Sequence, residues 1–205
     1  MGRRSATHKF MPSKFVFPGG KLDIADQRLN LYSALPPAML TKLRKYTRDN
    51  PSDKKLTGLA LAAIRETFEE TGLVIGRKTD VIARSKNTSW QAYFNHGVQP
   101  ALEKIEFIAR AITPTYRVRR FDTRFFLVND TSIYANLDAP ANPSGELEDV
   151  RWIPLTETRG LDLPGVTRWV LEQVEMRLGA SSSFTGKFPI PFVQFVNGTT
   201  LERLL

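Results

Sequence analysis

Three glutamates and an arginine at helical spacing are the residues of this sequence best suited to chemistry. On a helix, Glu66, Glu69 and Glu70 lie at positions i, i+3 and i+4, so their carboxylates share one face. Like charges at these spacings repel each other by a few tenths of a kcal/mol per pair. A bound cation would relieve this repulsion, and Arg65 lies one turn before Glu69, where it can orient that carboxylate.

The oxygen ligands of this face favour a hard divalent cation. Carboxylates without cysteine or histidine suit Mg²⁺ or Mn²⁺, which also bridge phosphate oxygens. A solvated acidic helix face is the alternative that three glutamates alone leave open.

Composition excludes several classes of protein. The chain of 205 residues has no cysteine, which excludes disulfides, cysteine-zinc sites, iron–sulfur clusters and thiol nucleophiles. It has no apolar run of about 20 residues, so we expect no membrane span and a cytoplasmic location. A formal charge of +8 favours anionic partners without choosing between phosphorylated metabolites and nucleic acid.

The elements that must position the glutamates alternate in type. The patterns predict a strand over 13–20 ending in Pro-Gly-Gly, a helix from Gly58 that stops at Gly72, and a short helix near 38–46. They also predict strands over 105–112, 123–129 and 150–153, a helix over 163–178, and a surface loop over 181–191. This order indicates one α/β or α+β domain over residues 1–205.

The segment with the glutamates resembles the Nudix hydrolase signature, G-x5-E-x7-R-E-U-x-E-E-x-G-U. Its second half matches at Arg65, Glu66, Glu69, Glu70, Gly72 and Leu73, with Thr67 where an aliphatic residue is usual. With Gly20 as the leading glycine, the arginine of the signature would stand at position 34. It stands at position 65 instead, so 31 extra residues lie within the signature. We place this insertion at 24–57. Counting back from Arg65 puts Thr57 at the first glutamate of the signature.

Further segments resemble the Nudix proteins related to peroxisomal coenzyme A diphosphatase. These segments are 15–23, 113–126 and 150–155. The resemblance implies a mixed sheet between helices, with the catalytic helix in a loop-helix-loop. The usual N-terminal strand is expected to be missing, because Met1 directly precedes Gly-Arg-Arg-Ser. An unpaired sheet edge would then make this form less stable than one extended upstream.

The same resemblance implies the reaction and the residues that perform it. Nudix enzymes hydrolyse a diphosphate linked to another group, here coenzyme A or acyl-coenzyme A, with Mg²⁺ or Mn²⁺. Glu69 and Glu70 are the expected principal ligands, Glu66 a further ligand or the base, the Gly20 carbonyl another ligand, and Arg65 the orienting residue. Glu146 or Glu148 is the expected distal acid, and exposed loop charges are the alternative for both.

A basic segment offers candidates for holding phosphates. It contains Arg117, Arg119, Arg120 and Arg124, and the last three are the expected substrate-binding residues. Arg120 and Asp122 could equally form a structural ion pair. Trp90, Tyr93 and Phe94 either stack on a base, line an acyl pocket or belong to the core, and Trp152 and Trp169 are expected in the core.

A binding protein is the second hypothesis. A Nudix fold that has lost the first glutamate could hold a nucleotide or RNA without efficient hydrolysis. Because all three later glutamates are present, we favour catalysis, and no recognised motif supports nucleic acid as a partner. The insertion could cap the pocket or form the contact of a homodimer.

Overall fold

The structure is a computed structural model that describes residues 1–8, 10–31, 33–114, 120–136, 146–180, 188–196 and 199–205. The chain divides into two compact units, which we describe separately. Unit 1 comprises Met1–Ile105 and Val128–Pro164, and unit 2 comprises Glu106–Leu127 and Gly165–Leu205. The expectation of a single domain over 1–205 stays a prediction.

The described residues contain six α-helices and ten strands. The helices are α1 (Ile24–Arg28), α2 (Pro37–Arg44), α3 (Asp53–Thr71), α4 (Thr88–Phe94), α5 (Leu155–Thr158) and α6 (Gly165–Ala180). The strands are β1 (Gly2–Arg4), β2 (Phe15–Val16), β3 (Leu73–Lys78), β4 (Val98–Pro100), β5 (Ile105–Ile112), β6 (Asp122–Val128), β7 (Ile133–Asn136), β8 (Leu147–Glu148), β9 (Pro191–Val196) and β10 (Thr199–Leu204). Short 3-10 helices occupy Leu102–Lys104 and Asp130–Ser132.

Helix α3 is the predicted helix of the glutamates, and it starts five residues before Gly58. The Ser52 side chain caps it by accepting a hydrogen bond from the Lys55 amide. Gly72 ends it in the left-handed conformation at φ 74°, and its N–H donates to the Phe68 carbonyl, as the sequence predicted. The predicted apolar face is buried at Leu61, Ile64 and Phe68.

The expected insertion contains ordered helices. Asp23 caps α1 through a capping box, in which its side chain accepts from the Ala25 amide and its own amide donates to Asp26. Helix α2 agrees with the predicted short helix, and Pro37 at its first position suits the helical φ. The placement of the insertion at 24–57 stays a prediction.

Unit 1 contains two three-stranded antiparallel sheets among its described residues. One has the order β2-β1-β8, with Gly2 opposite Val16 and Arg3 opposite Glu148. The other has the order β4-β3-β7, with Gly76 opposite Pro100. The segment Gly2–Arg4, which the sequence placed after a missing strand, is therefore itself a strand paired on both sides.

Unit 2 contains a mixed sheet of order β10-β9-β5-β6, in which β5 and β9 run parallel. Strands β5 and β6 match the predicted strands to within one residue. Sequence analysis missed β9 and β10, since Pro189 and Pro191 at their start indicated a loop. The prediction of a strand over 150–153 is wrong, because the short strand β8 precedes it and 150–154 has no regular structure.

The mixed α+β fold class is confirmed, with its strands distributed over three sheets in the described residues. The core of unit 1 includes the aromatic side chains of α4, of which Tyr93 packs on Phe68 of α3. Within the described part of the chain, no helix is both long and apolar enough to cross a membrane.

Candidate active site

The buried guanidinium of Arg65 lies at the centre of the candidate site. Its Nη1 donates to Glu66 at 2.9 Å and to Glu69 at 3.1 Å, so it holds both carboxylates. Its Nε and Nη2 donate to the two oxygens of Asp26 at 2.9 and 3.1 Å, and Nη2 also donates to the Lys21 carbonyl. The Arg65 to Glu69 contact that the helical spacing predicted is therefore present.

Asp26 is a site residue that the sequence analysis missed. Its side chain is fully buried and its carboxylate pairs with Arg65. Counting six residues forward from Gly20 reaches Asp26, whereas counting back from Arg65 reached Thr57. The assignment of Thr57 to the first glutamate stays a prediction, whereas Asp26, at the spacing of the signature from Gly20, is the carboxylate bonded to Arg65. The forward count was available in the sequence and would have found Asp26.

The Pro-Gly-Gly turn lies directly against the glutamates. The Gly19 amide donates to Glu70 Oε2 at 2.9 Å, and Gly19 has φ 155°, a conformation that residues with a side chain rarely adopt. A Cβ built on Gly20 would collide with the Glu66 carboxylate. The close approach of the backbone explains why glycine is needed at position 20, and it places Gly20 beside the glutamates.

Burial dominates the electrostatics of these carboxylates. It raises the pKa of Glu70 to about 8; the Gly19 hydrogen bond opposes this shift, and the negative charges of Glu66 and Glu146 add to it. Burial also raises the pKa of Glu66, against the attraction of Arg65. Burial alone would lower the pKa of Arg65, but the hydrogen bond and charge of Asp26, with Glu66 and Glu69, raise it above its ordinary value. The face thus crowds carboxylates where solvent screens them little, so ionising all of them is unfavourable without a cation.

The two candidate distal acids lie in different surroundings. The charge of Glu146 raises the pKa values of both Glu66 and Glu70, after the larger effect of burial, so this carboxylate lies on their side of unit 1. Its Oε2 lies 4.0 Å from Nε2 of His8. Glu148, in β8, forms a half-exposed ion pair with Arg3 at 3.7 Å. Of the two, Glu146 is the one whose charge acts on the pKa values of Glu66 and Glu70.

The predicted substrate arginines belong to unit 2. Arg117 and Arg119 lie outside the described residues, and Arg120 is exposed. Arg124 is nearly buried and donates to the Asp122 carbonyl, and its guanidinium pairs with the Asp122 carboxylate at 3.0 Å. That carboxylate also pairs with Arg110 at 2.7 Å. The ion pair suggested for Arg120 is thus formed by Arg110 and Arg124.

The aromatic residues of α4 are core residues. Trp90 and Tyr93 are fully buried and Phe94 nearly so, and their rings lie 5.2 to 5.5 Å apart. The alternative of a base or acyl pocket is therefore not supported for them. Trp152 is 68% exposed, so its expected place in the core is wrong, and Trp169 is half-buried. The irregular backbone of 150–154 explains the exposure of Trp152, because the alternation of buried and exposed side chains in a strand does not apply there.

The residues present fit a divalent metal by donor chemistry and charge. The carboxylates of Glu66 and Glu70 lie against the Gly19-Gly20 turn, Glu69 shares the Arg65 donor with Glu66, and such hard oxygen ligands suit Mg²⁺ or Mn²⁺. As they are placed, however, the described residues contain no group of three or more His, Asp or Glu side chains arranged to hold a metal ion. Glu66 and Glu69 instead face Arg65, and Glu70 faces the Gly19 amide.

Comparison with known proteins supports the same superfamily. No family model matches the sequence. The structure is similar to a crystal structure of a NUDIX hydrolase from Alicyclobacillus acidocaldarius, with a TM-score of 0.54 and 27% sequence identity. The match covers 83% of this chain and 80% of that one. The chain therefore has a Nudix-like α+β fold.

Proposed function

We propose that this protein is a divalent-metal-dependent hydrolase of a diphosphate linkage in nucleoside diphosphate derivatives, with coenzyme A or acyl-coenzyme A as substrate. The observation that carries the proposal is the buried Arg65, which holds Glu66 and Glu69 beside Glu70 and the Gly19-Gly20 turn. The similarity to a NUDIX hydrolase supports diphosphate hydrolysis at the level of the family.

In this proposal Glu66, Glu69, Glu70 and the Gly20 carbonyl would hold Mg²⁺ or Mn²⁺. When bound, the ion would neutralise phosphate oxygens and lower the pKa of a water molecule.

The chain itself supplies orientation and a proton acceptor. Arg65 restricts the side-chain conformations of Glu66 and Glu69, because one nitrogen donates to both carboxylates. The Gly19 amide similarly restricts Glu70. Glu66, whose carboxylate touches Gly20, is proposed as a further ligand or as the base for the attacking water. Glu146 is proposed as the distal acid, because its charge reaches both Glu66 and Glu70.

The substrate class is supported by resemblance and by charge. The segments 15–23, 113–126 and 150–155 resemble Nudix proteins related to coenzyme A diphosphatase. The net charge of +8 suits a substrate with several phosphates, and coenzyme A carries a ribose phosphate besides its diphosphate. Arg119, Arg120 and Arg124 stay proposed contacts for those phosphates.

Product analysis tests the proposal. Purified protein is incubated with Mg²⁺ or Mn²⁺ and coenzyme A, acyl-coenzyme A, NADH, ADP-ribose or diadenosine polyphosphates. We expect phosphopantetheine and adenosine 3′,5′-bisphosphate from coenzyme A, and loss of at least about 100-fold in rate in Glu69→Gln. Glu172→Gln, which changes an exposed glutamate of α6, is the matched control and should retain full activity.

Each other outcome has a defined meaning. Metal-dependent turnover of a different panel member would retain diphosphate hydrolysis and contradict the coenzyme A substrate. A folded protein without metal-dependent turnover would contradict catalysis. Nucleotide and RNA binding would then be measured, because a catalytically weak binding module is the second hypothesis.

A further inference from the structure

Trp90 is a core residue whose one polar atom contacts the candidate active site. The side chain is fully buried on α4, packed against Tyr93 at 5.2 Å and Phe94 at 5.4 Å between ring centres. The indole Nε1–H donates to Asp26 Oδ1 at 2.8 Å. A buried indole N–H usually finds a partner, but here the partner is the carboxylate that holds Arg65.

Asp26 accepts four hydrogen bonds, two at each oxygen. Oδ1 accepts from Trp90 Nε1 and Arg65 Nε, and Oδ2 accepts from the Asp23 amide and Arg65 Nη2. The Asp23 amide of the α1 capping box therefore holds one oxygen of the Asp26 carboxylate, and the Trp90 indole of α4 holds the other. Together they fix the plane of this carboxylate. With the carboxylate in this plane, Arg65 makes a two-point contact with Asp26 and directs Nη1 to Glu66 and Glu69.

We propose that Trp90 is a positioning residue of the active site, whose indole N–H orients Asp26 and, through Arg65, the carboxylates of Glu66 and Glu69. This inference rests on the proposed function, because it assigns Trp90 an effect on metal binding by those carboxylates. Arg65 and Trp90 follow Asp26 by 39 and 64 positions in the sequence, so these contacts join three distant segments of the chain. A plain core role would require only the ring of Trp90 and not its N–H.

A pair of conservative variants separates the N–H from the ring. Trp90→Phe retains an aromatic ring and removes the donor to Asp26. Tyr93→Phe is the matched control, because it removes a buried hydrogen bond of the same helix, from Tyr93 Oη to the Ile75 carbonyl at 2.6 Å. Both variants lose one buried hydrogen bond, and only the first of these bonds reaches the site.

The measurements are the Kd for Mn²⁺, by electron paramagnetic resonance of the free ion, and the kinetics of hydrolysis. Residues that orient metal ligands typically change affinity or activity by about 10- to 100-fold, and we expect about tenfold weaker Mn²⁺ binding in Trp90→Phe. We expect a similar loss in kcat with KM unchanged, and no change in either quantity in Tyr93→Phe. Equal Mn²⁺ affinity in the two variants would overturn the inference. A wild-type protein that binds no Mn²⁺ would instead contradict the proposed function.

A second measurement leaves Trp90 intact and so covers the case in which Trp90→Phe fails to fold. The indole N–H resonances of the wild-type protein are recorded by ¹⁵N NMR while Mg²⁺ is added, and Asp26→Asn identifies the resonance of Trp90. We expect this resonance to shift on Mg²⁺ binding, whereas that of the exposed Trp152 stays in place. Mg²⁺ binding without a shift of the Trp90 resonance would contradict the inference.

Discussion

Two clusters of buried charge, one in each unit, have opposite charge balances. In unit 1, the single guanidinium of Arg65 serves the carboxylates of Asp26, Glu66 and Glu69. In unit 2, among the residues that the structure describes, the carboxylate of Asp122 pairs with the guanidinium groups of Arg110 and Arg124. The first cluster retains excess negative charge and suits a bound cation, while the second retains excess positive charge.

The two clusters also differ in their access to water. The side chains of Arg65 and Asp26 are 7% and 0% exposed, whereas Asp122 is 37% exposed against 2% for Arg110. Water can therefore solvate Asp122 when a partner is lost but cannot solvate Asp26. A buried pair with inaccessible partners is expected to be the more sensitive to substitution.

The largest effect is expected for Arg65→Met. Removing the guanidinium leaves Asp26 charged and buried without a cation, which should lower the free energy of unfolding by about 3–5 kcal/mol. Hydrolysis should fall below detection, because Glu66 and Glu69 lose their common donor. Chemical denaturation measures the free energy of unfolding.

The control Arg77→Met removes a half-exposed ion pair with Glu103 and should change stability by less than about 1 kcal/mol. Equal effects of the two substitutions would contradict the reading of Arg65 as the centre of a buried network.

Arg110→Met tests the other cluster and should have a smaller effect. Asp122 retains Arg124 and contact with water, so we expect a loss of about 1–2 kcal/mol from the missing charged hydrogen bonds. The same denaturation experiment measures it. If Arg110→Met destabilised the protein as much as Arg65→Met, the difference in solvent access would not govern the two clusters.

Glu70→Gln should act in the opposite direction. Glu70 is buried near Glu66, and burial raises its pKa to about 8, so at neutral pH folding forces this carboxylate to take up a proton or to stay charged without solvent, and either costs stability when no cation is bound. The neutral amide can still accept from the Gly19 amide, and we expect about 1 kcal/mol of added stability in the metal-free protein. Added Mg²⁺ should raise the melting temperature of the wild type and not of the variant. A less stable metal-free variant would contradict the excess of negative charge.

The smallest change in stability is expected for Arg124→Leu. Asp122 retains its two bonds to Arg110, and the Nε of Arg124 is buried without a hydrogen-bond partner. Stability should therefore change by less than about 0.5 kcal/mol. If Arg124 contacts substrate as proposed, KM rises about tenfold while kcat is unchanged. Arg168→Leu, an exposed arginine of α6, is the control, and an equal KM in both variants would remove Arg124 from the proposed contacts.

Local patterns explain most of what the sequence predicted correctly. The helix of the glutamates, its glycine stop and strands β5 and β6 follow from periodicity and from capping, which depend on neighbouring residues. The contact from Arg65 to Glu69 follows from helical spacing alone. Strand β9 was missed because its partner β5 is distant in sequence and because Pro189 and Pro191 at its start indicated a loop; β10, which pairs with the adjacent β9, was missed with it.

The sequence by itself determined the chemical character of the candidate site: three carboxylates on one helix face, an arginine one turn away and a glycine turn before them. Only the tertiary structure decided which residue faces the arginine, because Asp26 and Arg65 are 39 positions apart in sequence and the signature allows both a forward and a backward count. It likewise decided that Trp90 contacts Asp26 whereas Trp152 lies in solvent. Residue type and spacing determine contacts within a helix, but the direction of a side chain across 64 residues depends on how the helices pack.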